Sequence, residues 1–334
     1  MSTPLPVGSG RLGWTFYLLT IPLTMPLIPY TKPALTYNDQ LQQLKLRGLT
    51  VASDPKALHL LETISYYRFS AYWYPLLAEP KSAHVFKAGA RFDDAFRLYC
   101  FDRHLRKLVV AELEKIEVAI RSKLIYTLSH RYGAFWYNVP AIFNNPVRHA
   151  ATMAKLNDEY LRSDEKFIQE FRKKYSDPLP PSWMLLEITS FGTLSQIYSN
   201  LQGARDKRNI AHYFSLDDAT FRSWLHTIVY IRNVCAHHAR LWNRVFRIAP
   251  IMPASPSKPW ITITTLPNPT AGLAPVTLHD KTYFLLCMIA YLLVTVDPAN
   301  TFKDKLTQLL ANFPSVDIAA MGFPGGWDHE PLWI

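Results

Sequence analysis

The sequence predicts an all-α protein. Across residues 92–131, apolar side chains return at three- and four-residue steps. The same period recurs near 55–68, 148–174, 183–201, 217–247, 278–296 and 301–312. Strand-like alternation is confined to Ile261-Thr262-Ile263-Thr264, inside the proline-rich stretch 251–275. The expected architecture is therefore helical, with a short irregular or β insertion near 255–275.

Taken in order, residues 1–30 form an apolar extension. The run LGWTFYLLTIPLTMPLIPY at 12–30 follows a single basic residue, Arg11, and is interrupted by Pro22, Pro26 and Pro29, which break a helix. It is marginal against the ~20 apolar residues of a spanning helix, so no membrane partner is expected. Met1 and Met25 both stand as possible starts. Residues 31–91 read as an N-terminal helical region. Leu41, Leu44 and Leu46 begin it, and Leu58, Leu61, Ile64 and Ser65 share one face of the helix at 55–68. The aromatic cluster Tyr66, Tyr67, Phe69, Tyr72, Trp73 and Tyr74 is expected in the core. The alternative is base stacking beside Arg68.

Residues 92–313 read as the main helical domain. On its first helix, Leu105, Leu108, Val109, Leu113, Ile116 and Ile120 form the apolar face, and Arg103, Arg106, Lys107, Glu112, Glu114, Lys115, Glu117 and Arg121 the polar one. Glu117 and Arg121 are four apart and can pair. The segment Asp177-Pro178-Leu179-Pro180-Pro181 reads as a hinge. Asp217 is the expected cap region of the helix at 217–247, which Pro250 ends. Residues 314–334 read as an irregular tail.

The 334 residues suffice for one large or two small domains with a core. With 49% hydrophobic and 19% charged residues, the composition excludes a disordered chain. Lysine and arginine outnumber the acids by 36 to 26, a net charge of +10, which favours a polyanionic partner. Cys100, Cys235 and Cys287 are odd in number and far apart, with no zinc-like spacing. A cytoplasmic protein without metal or cofactor is expected.

The chemistry concentrates in Tyr230-Ile231-Arg232-Asn233-Val234-Cys235-Ala236-His237-His238-Ala239-Arg240-Leu241-Trp242-Asn243-Arg244. Were the helix continuous, Asn233, His237, Arg240 and Arg244 would share one polar face, with His238 on the apolar one. From Ala219 to His279 there is no Asp or Glu, while Arg222, Arg232, Arg240, Arg244, Arg247 and Lys258 fall in that span. Such a run of cations implies an external anion. An imidazole beside guanidiniums suits RNA cleavage: histidine titrates near neutrality and can move the 2′-hydroxyl or 5′-oxygen proton, and arginine stabilises phosphate charge. The plainer alternative gives His237 an ordinary place on a helix and pairs Arg232 with a core carboxylate.

The string RNVCAHHARLWNR closely resembles the signature of the abortive-infection (Abi) family, of AbiD/AbiF type. Arg232, Asn233 and His237 match the HEPN nuclease motif, an arginine and a histidine separated by four residues. Other blocks resemble the same family: Lys32-Pro33 with Gln40 and Gly48; Tyr66-Tyr67-Arg68 with Tyr72; Phe101-Asp102-Arg103 with Leu105-Arg106; Ile116-Glu117 with Arg121; and Glu187 with Phe191-Gly192-Thr193-Leu194. The resemblance implies a HEPN-type helical bundle and a phage-defence or toxin role. It implies a metal-independent endoribonuclease with Arg232, His237 and Asn233 as catalytic residues, or alternatively a non-catalytic holder of a structured noncoding RNA. Arg240, Arg244, Arg121, Arg103 and Arg106 are the expected RNA contacts. HEPN sites are composite, so one motif per chain implies a homodimer. A second stretch, Arg205 to His212, also places arginine upstream of histidine but lacks these surroundings.

Overall fold

A computed structural model describes residues 29–268 and 272–334. The apolar run expected at 12–30 lies almost wholly outside them. The helices are α1 (Tyr37–Leu46), α2 (Asp54–Ile64), α3 (Tyr66–Trp73), α4 (Phe92–Tyr132), α5 (Pro146–Arg162), α6 (Lys166–Lys174), α7 (Ser182–Leu185), α8 (Phe191–Asn200), α9 (Ala204–Tyr213), α10 (Asp218–Ala236), α11 (Thr282–Val296) and α12 (Phe302–Asn312). A two-stranded antiparallel ribbon, β1 (Thr265–Leu266) with β2 (Val276–Thr277), and short 3-10 turns complete the described secondary structure, three of those turns lying in the tail expected to be irregular. The all-α expectation with a short β insertion is met. The strand pairing begins just after the Ile261–Thr264 alternation, which is itself irregular.

The long helix α4 organises the molecule. Its 41 residues extend roughly 60 Å, and it stops at Gly133, whose φ of +86° suits a residue without a side chain. Its N-terminal turns, with Phe92 and Ala95, close a small core with Leu41, Leu44, Leu61, Phe69, Tyr72 and Trp73 from α1–α3. From Phe101 to Leu128 its buried apolar residues belong to the larger core, built with α5–α12. The aromatic cluster divides accordingly. Phe69, Tyr72 and Trp73 are buried, while Tyr67 points to solvent. Helix α11 is buried from Thr282 to Leu293 with one gap at Ala290, as an all-round apolar helix must be. Among the described residues no helix is long and apolar enough to cross a membrane.

Several predicted helices are broken, each for a local reason. The helix at 55–68 divides at Ser65, which takes φ +76° and caps α3 by accepting from the Arg68 N–H. Ser190 restarts α8 in the same way through the Thr193 N–H, so residues 183–201 form a short helix, a 3-10 turn and a second helix. The polar helix at 148–174 is interrupted at residues 163–165. The helix expected over 217–247 ends at Ala236, and this break shapes the site.

Candidate functional site

Helix α10 is capped by Asp217, whose carboxylate accepts from the Thr220 N–H and Oγ1. Its buried face, from Phe221 and Trp224 to Ile231 and Val234, fixes its rotation against the core. At the other end His237 donates its backbone N–H to the Asn233 carbonyl. His238 and Ala239 then donate to Cys235 and Val234, each at 3.0 Å. This nested pair closes the helix in a Schellman turn. His238 occupies its left-handed position, with φ +53°, where glycine is usual. The chain then leaves the helix axis. The expected single face of Asn233, His237, Arg240 and Arg244 is therefore not formed, because the last two lie on the following loop.

Two residues from distant helices hold that loop. Arg68 of α3 donates to the His238 carbonyl at 2.6 Å. Asp102 of α4 accepts from the Leu241 N–H at 3.0 Å, the Trp242 N–H at 2.6 Å and the Tyr72 hydroxyl at 2.6 Å, and pairs with Arg106. Asp102 is completely buried. Burial pushes its carboxyl pKa up, while Arg106 and these donors pull against it. Arg106 is thus the internal counterion of the loop anchor. It is not an open cation for RNA, a departure from the sequence expectation.

Arg121 departs in the same way. It is buried, and its guanidinium donates to the Leu186 carbonyl and, at 2.8 Å, to Glu117. The Glu117–Arg121 spacing was legible, but its consequence was not. The second Glu117 oxygen lies 3.9 Å from Nε of Arg232, whose side chain is 42% exposed. Arg232 also donates to Oδ1 of Asn233 at 3.4 Å. Arg232, Asn233 and His237 lie within the last turn and a half of α10 and its cap, with Asn233 and His237 exposed. The stretch without acids in sequence meets an acid in space.

The remaining expected contacts differ among themselves. Arg240 is half-buried, donates to the Ala71 carbonyl at 3.4 Å, and has its pKa lowered by burial. Arg244 donates to the Arg240 carbonyl and to the Tyr230 hydroxyl, and stands over that ring. Arg103 is exposed, and with Arg68, Tyr99, Lys107 and His238 it lines a cavity of about 700 Å³ beside the turn. The Cys235 thiol is buried, which pushes its pKa up to about 12 and leaves it unsuited as a nucleophile. No group of three or more His, Cys, Asp or Glu among the described residues is arranged to hold a metal.

Sequence reasoning passed over Asp102, Tyr72, Glu117 and Arg68 as parts of the site. The one local signal was the four-residue spacing of Asp102 with Arg106 and of Glu117 with Arg121. Three of the blocks that resemble the family, those with Arg68 and Tyr72, with Asp102 and Arg106, and with Glu117 and Arg121, converge on the frame of the Arg232–Trp242 segment.

An all-helical protein that presents an arginine–histidine turn on a buried acid–base frame is the class these features define. A family model described as Abi-like protein matches residues 59–243, more than half the chain, and covers the frame from Arg68 to Trp242. The chain belongs to the Abi-like protein family. None of the curated proteins and none of the solved structures compared matches it.

Proposed function

We propose that the chain is a HEPN-type endoribonuclease of a phage-defence or toxin–antitoxin system. What supports this reading is the end of α10, where Arg232, Asn233 and His237 gather with Asn233 and His237 exposed, on a buried internal frame. His237 moves a proton at the ribose 2′-hydroxyl or at the departing 5′-oxygen. Arg232 meets the charge that grows on the phosphate, and Asn233 fixes the guanidinium. The substrate supplies its own nucleophile, so the step needs no metal and is confined to RNA. Two copies of the chain, each giving one turn, complete the site.

Sequencing of RNA ends after expression of the wild type beside His237→Ala tests this. Wild type yields 2′,3′-cyclic phosphate ends, also in excess chelator, and the variant yields none. Equal cleavage by both proteins would overturn the assignment of His237. One observation favours a second reading, a non-catalytic protein that holds a noncoding RNA: Arg232 is already partly neutralised by Glu117. Intact co-purifying RNA, with no turnover on any RNA pool, would select it.

A further inference from the structure

A second concavity, of about 870 Å³, opens on the other side of Asn233, among α5, α8 and α10. Along α10, Arg222, His226, Val229 and Asn233 line it at steps of four, three and four, so they form one row on the helix. Arg148 of α5 and Gln196 of α8 face this row. The lining holds two arginines and a histidine and no carboxylate. Arg148, Gln196, Arg222, His226 and Asn233 are all exposed. Neither arginine has an ion-pair partner among the described residues. Of the acids nearby, Asp218 accepts from the Tyr198 hydroxyl at 2.7 Å, and one oxygen of Glu159 accepts from the Ser190 N–H. No Phe, Tyr or Trp lines the groove, and its two arginines, histidine and amides suit contacts to phosphate.

We propose that this groove is a track for the backbone of a single RNA strand, which it leads to the Arg232 turn. The proposal rests on the reading of the chain as an RNA-directed protein. The geometry supplies the direction. The row ends at Asn233, and the Asn233 side chain accepts from Arg232. From Arg222 to Asn233 the row is about 17 Å long, enough for a few nucleotides. The groove binds phosphates without reading sequence, and the chemistry is done at its end.

The test is RNA binding in the full-length His237→Ala background, with a fluorescent single-stranded oligouridylate. Arg148→Glu with Arg222→Glu is expected to weaken binding at least tenfold at about 0.1 M salt. The log–log salt slope should fall by about 1.4, two phosphate contacts at about 0.7 each. Lys173→Glu with Lys174→Glu on α6 makes the same change in net charge away from the groove, and should shift affinity less than twofold. If the double arginine variant does not fold, Gln196→Glu places a carboxylate in the groove and is expected to cost at least threefold. Equal losses in the groove and control variants would overturn the track, as would unchanged binding in the groove variants. A change of oligomeric state in the groove variants would also overturn it, because the groove would then be an interface between copies. Wild type that cleaves RNA with undiminished groove-variant binding sinks only the track. Wild type that cleaves nothing, with binding lost in the groove variants, keeps the track and sinks the nuclease.

Discussion

On α4, Arg106 and Arg121 are buried, with their guanidiniums on Asp102, Tyr72, Glu117 and the Leu186 carbonyl. On α10, Arg222 is exposed and has no ion pair among the described residues, and Arg232 is half-buried and held loosely by Glu117 at 3.9 Å. Both helices are long and basic, and the difference lies in what each arginine faces. The α4 arginines are shielded from water and act as internal joints, because a buried ion pair is costly to open once formed. The α10 arginines keep their charge available. One set builds the frame, and the other presents charge to a polyanion.

Breaking a joint is the largest test of that division. Asp102→Ala leaves Arg106 buried without its counterion and the Leu241 and Trp242 N–H groups without their acceptor. It should cost about 3–5 kcal/mol, the usual penalty for removing one partner of a buried pair. Denaturant unfolding measures it, and a loss below about 1 kcal/mol would mean that the loop does not depend on this anchor.

Glu117 spans both sets, with Oε1 on Arg121 and Oε2 near Arg232. Glu117→Gln should therefore act in two directions. It weakens the Arg121 joint by about 1.5–3 kcal/mol, the range for a hydrogen bond to a charged group. It also frees Arg232, so RNA should bind a few-fold tighter in the His237→Ala background. Weaker RNA binding in a protein that remains folded would show that Glu117 orients Arg232 for phosphate, and would remove the division between the two sets.

This division explains what was legible in the sequence. Apolar periodicity identified α4, α11 and α12 because their buried faces run unbroken through the core. The end of α10 was hidden. Leu241 and Trp242 continue its apolar spacing, and no glycine marks the stop. The stop comes from tertiary contacts, Arg68 on the His238 carbonyl and Asp102 on the Leu241 and Trp242 amides. The trio Arg232, Asn233 and His237 was readable because its members are neighbours in sequence. The groove was not, since Arg148 reaches it from 74 residues before Arg222, and no local pattern joins them.

The turn itself allows a subtler test. His238 holds a left-handed φ of +53°, which a non-glycine residue adopts at a cost. His238→Gly should raise stability by about 1 kcal/mol, and His238→Val should lower it by at least as much. RNA cleavage unchanged in the glycine variant would confine the chemistry to His237. Loss of cleavage in that stable variant would bring the second imidazole into the site and extend the charge-presenting set onto the loop.

The smallest effect belongs to the opposite end of α10. There Asp217 is a compensated charge, as the α4 acids are, but an exposed one. Burial alone would raise its pKa, yet the Thr220 hydroxyl and the amides of Thr220 and Ala219 outweigh it and hold the carboxyl below its ordinary value. A carboxyl depressed in the folded state stabilises the fold above its unfolded pKa of about 3.9, and that contribution disappears as pH falls through the lowered folded value. Asp217→Asn keeps an oxygen acceptor for the Thr220 N–H but removes the charge from the helix N-terminus. At neutral pH it should cost about 0.3–1 kcal/mol. Guanidine unfolding of both proteins between pH 7 and pH 2 should show the gap closing on the acid side, because the protonated wild type then resembles the variant. A gap that stays constant with pH would mean that the cap acts through hydrogen bonding alone. Charge at the start of α10 would then be irrelevant to stability, and the contrast between compensated and open charges would apply to buried groups only.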